Sequence, residues 1–589
     1  PFSEEVFTLF SLRANLKPYI NKIHSIHLIH KECILDWHVV PSNVCVFNLL
    51  NQLYNNCNAV DSDVATLSFI MFSNCIKVFL DIIALWLRGG ALEDWRDEFC
   101  ITCDKSSKLG DYFLRNGPDH DNLSQYDESF LTLTTKLLNA GQSIRILQKL
   151  DKMENFIKER ILEEKLFASF CREVFKALPK VPVSNEKLEF TNPINNNNNE
   201  KPKHRFIPEI KNPILREMFA KYLKENPLET FLNAKDTHFV DELSIRLKID
   251  SSLAFHYILE NALNNILEPH CSKTCKLVVM LFKKDFELEL HLEALENVML
   301  MQSGGVLHDF YIQLFQEMDA CNECNTTGYF LNYKIDAILS YSKYMDLANL
   351  FSVYMEDDIT IFTNKLECLN KLKILYNAYY PLSIVITQKE LTKYDECMQF
   401  LLQINWSMWA LQHLAFTNAQ RYQSYNRSVE TISKKLQLLK FWLLHSISSI
   451  HSYVYGQVLS IAKARFQQKL DTAGVHDELY RAHAEFIDYV HDHCLLNPKY
   501  EPIKKIVLQF INLVEMIRSE WEYRFNNILG STTSLNEDQL IDATQICTME
   551  SLYLKCHACL RDTLIKTTMH DKTLLGLCFL FDYPMPEPY

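Results

Sequence analysis

The stretch Val429–Leu470 constrains the fold most. It contains no proline, and its apolar residues recur at three- and four-residue spacing. At about 1.5 Å per residue it predicts one helical rod of ~60 Å. Such a rod exposes an apolar side along its whole length, so other helices must cover it. The chain supplies them in amphipathic stretches at 333–355, 387–416, 475–494, 501–529 and 537–567. Only 12 of 589 residues are glycine, too few for the turns and phosphate loops of a large α/β enzyme. No period of 20–50 residues recurs, which argues against a solenoid. The predicted class is all-α: an elongated multi-helix-bundle protein with two helical domains.

The first half reads as four helices. Leu16, Tyr19, Ile20, Ile23, Ile26 and Ile29 share helical spacing, and a second run from Thr66 to Leu87 stops at Gly89-Gly90. A third spans Phe130–Leu150 and a fourth Met153–Leu178. Residues 179–213 are rich in proline and contain the run Asn195–Asn199, the composition of a linker. The reading is therefore a domain at 1–178, a linker at 179–213 and a second domain at 214–589. Within the second, Cys275–Leu292 mixes strand-like alternation with helix formers, and helix is favoured. No signal peptide precedes the first helix. The first residue is proline rather than methionine, so an incomplete N-terminus is expected. The most apolar run, Val78–Leu87, carries Asp81 and reads as far short of a bilayer span.

A net charge of −13 disfavours general nucleic-acid binding, which requires a basic face. The 18 cysteines are scattered in apolar company and read as reduced thiols of a cytosolic protein. The chain has no P-loop, GxGxxG, GxSxG or HExxH pattern, so the common nucleotide, hydrolase and zincin chemistries lack their anchors. The CxxC pairs Cys100/Cys103, Cys321/Cys324 and Cys556/Cys559, with Cys271/Cys275, are far apart in sequence, whereas a zinc site needs four converging ligands. His24, His27 and His30 share one helix face, and His491 and His493 flank Asp492; a polar helix face or helix end accounts for both. A zinc- or thiol-dependent enzyme built on these pairs is the alternative reading. The aromatic residues Trp406, Trp409, Tyr422, Tyr425, Trp442, Tyr453 and Tyr455 could stack on single-stranded nucleic acid, but their helical spacing favours core packing or a protein interface.

Four ordered motifs carry a family resemblance. Tyr380-Pro381-Leu382-Ser383-Ile384-Val385-Ile386-Thr387 precedes Lys393-Tyr394 and Phe400-Leu401-Leu402-Gln403-Ile404. His476-Asp477-Glu478-Leu479 precedes Ala482-His483, Tyr489, His491 and Cys494-Leu495-Leu496. Gly90-Ala91-Leu92-Glu93-Asp94 leads to Glu98-Phe99, with Cys100 where a second Phe is usual, and Ala140-Gly141-Gln142-Ser143-Ile144 has Gln142 where Lys is usual. Together these resemble the gamma-tubulin complex component (GCP) family. Leu402–Trp406 and His491–Leu496 are most like its fifth component. The family's usual opening motif is not visible.

The resemblance implies a subunit without catalytic residues, cofactor or metal. Its first half would pack laterally against other gamma-tubulin complex components, and its second would hold γ-tubulin, templating microtubule nucleation at the centrosome or spindle. No nucleic acid or membrane is implied as partner. Candidate contacts with γ-tubulin are the loop Gln302, Ser303, Gly304 and Gly305 and the segment Tyr379, Tyr380, Pro381 and Leu382.

Overall fold

The structure is a computed structural model. It describes residues 9–33, 42–57, 62–94, 96–103, 112–114, 128–153, 165–177, 255–301, 306–320, 328–355, 365–414, 427–530 and 543–583. The chain forms two compact units, Pro1–Cys275 and Lys276–Tyr589. The linker proposed at 179–213 lies outside the described residues.

Unit 1 is built on α1 (Leu9–Cys33), α2 (Ser42–Asn56), α3 (Ser62–Gly89), α4 (Glu128–Lys149) and α5 (Leu166–Ala177). Helix α3 is the axis, packing against α2, α4 and α5. Its side chains Phe69, Phe72, Ile76, Leu80, Ile83 and Trp86 are buried, the three- and four-residue spacing that puts one stripe on the core. The run Val78–Leu87 is short by itself, but the longer stretch Leu67–Gly89 that contains it is, by length and composition alone, long and apolar enough to cross a membrane. A short ribbon, β1 (Ile101–Cys103) with β2 (Tyr112–Leu114), pairs Ile101 with Leu114 in antiparallel register. The fourth predicted helix is observed only as α5, because 154–164 is not described. Helix α6 (Phe255–Lys284) contributes its residues up to Cys275 to unit 1 and the rest to unit 2.

Unit 2 continues with α7 (Leu288–Met299), α8 (His308–Ala320), α9 (Gly328–Ser340), β3 (Phe351–Met355), α10 (Lys365–Lys371), β4 (Leu372–Tyr376) and α11 (Gln388–Gln412). It ends with α12 (Arg427–Ser452), α13 (Ser460–Thr472), α14 (His476–His493), α15 (Glu501–Gly530), α16 (Ala543–His570) and α17 (Leu575–Phe581). Helix α11 is the hub, contacting α7, α10, α12, α14, α15 and β4. The rod predicted over Val429–Leu470 exists, but α12 and α13 are joined through a π-helical stretch, Tyr453–Leu459.

Two differences from the sequence reading matter. The stretch 275–292 is helical on both sides of a tight turn in which Glu287 takes a φ of 44°. The stretch 333–355 is not one helix. It ends at Ser340, and after a 3-10 turn over Met345–Leu350 becomes strand β3, paired antiparallel with β4. Phe351 and Val353 face the core, as do Leu372, Ile374 and Tyr376, so the period here is two. Helix α9 covers the edge of the ribbon through Asn332. Its side chain donates to the Val353 carbonyl (2.8 Å) and accepts from the Val353 N–H (2.6 Å).

Candidate partner-binding site

The loop Gln302–Gly305 lies outside the described residues, between Met301 and Val306. The segment Tyr379–Leu382 follows β4 and contains a cis Tyr380–Pro381 bond. Its residues divide. Pro381 and Leu382 are buried, while Tyr379 is 45% exposed and Tyr380 is half-buried. Only the two tyrosines therefore offer side chains to a partner. Tyr379 is held by its ring against His291 and by a 3.4 Å contact from its hydroxyl to His291 Nε2. His291 Nδ1 bonds the Tyr376 hydroxyl. Burial lowers the His291 pKa to about 4, so this clamp is neutral.

The motif around 380–404 and the motif around 476–496 meet each other. The buried His483 ring bridges them, with Nδ1 3.1 Å from the Val385 carbonyl and Nε2 3.2 Å from the Tyr394 hydroxyl. A carbonyl can only accept, so Nδ1 carries the proton and Tyr394 donates to Nε2. Burial lowers the His483 pKa to about 4, consistent with a neutral ring. Around this bridge, His491 Nε2 lies 2.7 Å from Glu396, Lys393 pairs with Asp488, and Tyr480 donates to the buried Glu390 (3.4 Å). Glu478 turns back to accept the Gly474 and Val475 N–H groups, capping α14. At the other end Leu495 takes a φ of 61°, and the Leu496 N–H returns to the His491 carbonyl.

The two motifs of unit 1 also meet each other. Trp86 Nε1 donates to the Leu137 carbonyl (2.8 Å), and its ring lies over Gly141, where a Cβ would sit 1.8 Å from the indole. Gly90 has a φ of 55°, and a Cβ there would meet the Arg145 side chain at 2.5 Å. Asp94 explains the next part of the motif. Its carboxylate accepts the Glu98 and Phe99 N–H groups (3.0 and 2.8 Å), turning the chain so that Phe99 is fully buried. Gln142, standing in the usual lysine position, donates to the Tyr112 carbonyl (2.8 Å) and ties β2 to α4. Tyr112 itself packs on Trp86 and beneath Arg145.

The exposed apolar side chains lie elsewhere. On α1, Leu9, Phe10, Leu12, Leu16, Tyr19, Ile20 and Ile23 are exposed, whereas Ile29 is buried. On unit 2, Tyr329, Tyr333, Tyr341 and Met345 form a second exposed set on α9 and the turn after it, which sequence reasoning did not single out. Trp406, Trp409 and Tyr453 are buried, and Trp442 stacks on Tyr553, so the core reading holds for these aromatic residues. Among the described residues, no three His, Cys, Asp or Glu side chains gather as a metal ligand set. Cys321 and Cys324 lie outside them.

Two family descriptions match the chain in order. "Gamma tubulin complex component N-terminal" covers residues 2–212, and "Gamma tubulin complex component C-terminal" covers 288–584. The chain belongs to the gamma-tubulin complex component family. It is 23% identical to gamma-tubulin complex component 5 of Mus musculus over 544 residues, 81% of this chain and 52% of that protein. It therefore spans about half the length of that relative. Identity to component 5 of Macaca fascicularis is 22% over 88% of this chain and 80% of that protein. Component 6 of Mus musculus is 30% identical over 48% of this chain and 16% of its own length. Both motif pairs lie inside the matched regions, and both hold parts of their own unit together.

Proposed function

We propose that this gamma-tubulin complex component is a non-catalytic structural subunit. It binds γ-tubulin through its C-terminal half and packs laterally against other components through its N-terminal half. A ring of such subunits would fix many weak tubulin contacts in one geometry, raising the effective concentration of a microtubule nucleus. The observation that carries this reading is the order of the family matches, one within each compact unit.

Two surfaces support the division of labour. Apolar residues exposed along one helix are what a lateral protein contact uses, and α1 presents them in unit 1. In unit 2, the γ-tubulin contact is assigned to Tyr379, Tyr380 and the loop Gln302–Gly305. A net charge of −13 fits neither nucleic acid nor an anionic membrane as partner. Residence at the centrosome and spindle follows from the same reading.

The test is co-purification of the full chain with γ-tubulin and, separately, with a second component of the family. Retention of both is expected. Loss of γ-tubulin alone would overturn the C-terminal assignment, and loss of the second component alone the N-terminal one.

A further inference from the structure

Unit 2 contains a cavity of about 320 Å³ between α8, α11 and the π-helical stretch after α12. Its size falls within the range of small-molecule sites, and its setting between helices of a bundle is where such sites form. The lining contains no Lys, Arg, Asp or Glu. Its walls are partly aromatic: Phe315 and Trp409 lie 5.7 Å apart, and His451 stacks on Tyr455 at 4.3 Å. The π-helical stretch adds a residue to its turn and sets Tyr455 in the wall, a device frequent at functional sites.

Several lining residues are polar, and of these Asn297 and Tyr311 already bond within the protein. Asn405 Nδ2 donates to the Tyr455 hydroxyl (3.1 Å), which leaves the tyrosine proton available to a ligand. Among the described residues neither ring nitrogen of His451 has a protein partner, and burial lowers its pKa, keeping it neutral. The nearest cation, the Arg518 guanidinium, lies over the Trp409 ring and outside the lining, so the lining itself offers a charged ligand no opposite charge to replace its hydration.

We propose that this cavity binds a small, uncharged aromatic molecule bearing one hydroxyl or N–H group. The ring would lie against these aromatic side chains, its donor reaching His451 and, where the group is a hydroxyl, its oxygen accepting from the Tyr455 hydroxyl. This assignment does not rest on γ-tubulin binding, although Met301 and Val306 of the lining flank the loop Gln302–Gly305 given above to that contact. The experiment is titration of the full chain with 2-naphthol and with 2-naphthoate, an anion of nearly the same shape, followed by ligand-observed NMR. Saturable binding of 2-naphthol is expected, with 2-naphthoate weaker by roughly tenfold or more. Ile312→Trp, which fills the cavity from its lining, should abolish binding. Tyr455→Phe, which removes one hydroxyl and little volume, should weaken it several-fold and retain the wild-type circular dichroism. No saturation by 2-naphthol, equal binding of the anion, or wild-type binding by a folded Ile312→Trp or Tyr455→Phe variant would each overturn the proposal.

Discussion

The two motif pairs hold their units together by different physics. In unit 1 the contact is one of shape: Trp86 fills the space that Gly141 leaves empty, and Gly90 clears Arg145. In unit 2 the contact is polar: a buried histidine satisfies a carbonyl on one segment and a hydroxyl on the next helix. A shape contact has no titrating group and should be indifferent to pH. A buried neutral histidine is sensitive to acid, because the unfolded chain takes up the proton that the folded one refuses.

The largest effect should come from breaking the shape contact. Trp86→Ala removes a fully buried indole and its bond to Leu137, at a cost of ~3–5 kcal/mol. Gly141→Ala alone places a methyl group against the indole and should cost about 2–3 kcal/mol. The combination decides whether these are one interaction. With the indole gone, Gly141→Ala should be close to neutral, a strong non-additivity in urea unfolding midpoints. Additive losses would mean that the glycine serves the backbone and not the tryptophan.

The polar contact comes next. His483→Leu leaves the Val385 carbonyl and the Tyr394 hydroxyl without this partner and should cost ~2–3 kcal/mol at neutral pH. The sign of its pH dependence follows from the lowered pKa, from 6.5 to about 4. Stability from the neutral ring is complete above pH 6.5 and is lost as pH falls toward 4. His291 behaves alike, with its pKa lowered by burial to the same value. Unit 2 should therefore unfold first on acidification, and His483→Asn should flatten the fall between pH 6.5 and 4. Hydrogen exchange followed in each unit across that range would check both.

These motifs also show how far a sequence can be read. Helices such as α3, α11 and α15 were legible because a continuous apolar stripe at helical period needs no knowledge of what covers it. Strands β3 and β4 were not. Each is five residues long, and Phe351-Ser352-Val353 is too short for its period of two to stand out from the amphipathic helix before it. The cavity was illegible because its lining comes from three separate segments, 297–315, 405–412 and 451–455. The candidate segment was half legible: Tyr-Pro-Leu signals a turn, but which of its side chains points inward depends on where β4 ends. Leu382 is fully buried and Tyr379 is not.

A smaller effect, opposite in sign, tests the polar side again. Burial raises the Asp395 carboxyl from 3.8 to about 6, so its protonated form is favoured in the folded chain. Its contribution is present below pH 3.8 and is lost as pH rises to about 6. Asp395→Asn keeps the acceptor that faces the Ile374 N–H (3.3 Å) and removes the buried charge. The variant should be more stable than wild type by about 1 kcal/mol above pH 6, allowing for partial solvent screening. No gain at pH 8 would show that the carboxylate is better solvated than its burial implies.

The smallest stability effect should come from Tyr379, and it separates holding the fold from holding a partner. Its ring is 45% exposed and touches the neutral His291 by an edge contact. Tyr379→Ala should shift the urea midpoint by no more than ~0.5–1 kcal/mol, the scale of a surface substitution that loses one aromatic contact. If this tyrosine is the face of the motif turned toward γ-tubulin, the same variant should lower γ-tubulin retention several-fold, as loss of an interface aromatic does. Leu382→Ala, three residues on and fully buried, should do the reverse, costing ~2–5 kcal/mol of stability and lowering retention only in proportion to the unfolded fraction. Equal retention by wild type and Tyr379→Ala would leave the segment purely structural, like the histidine bridge beside it.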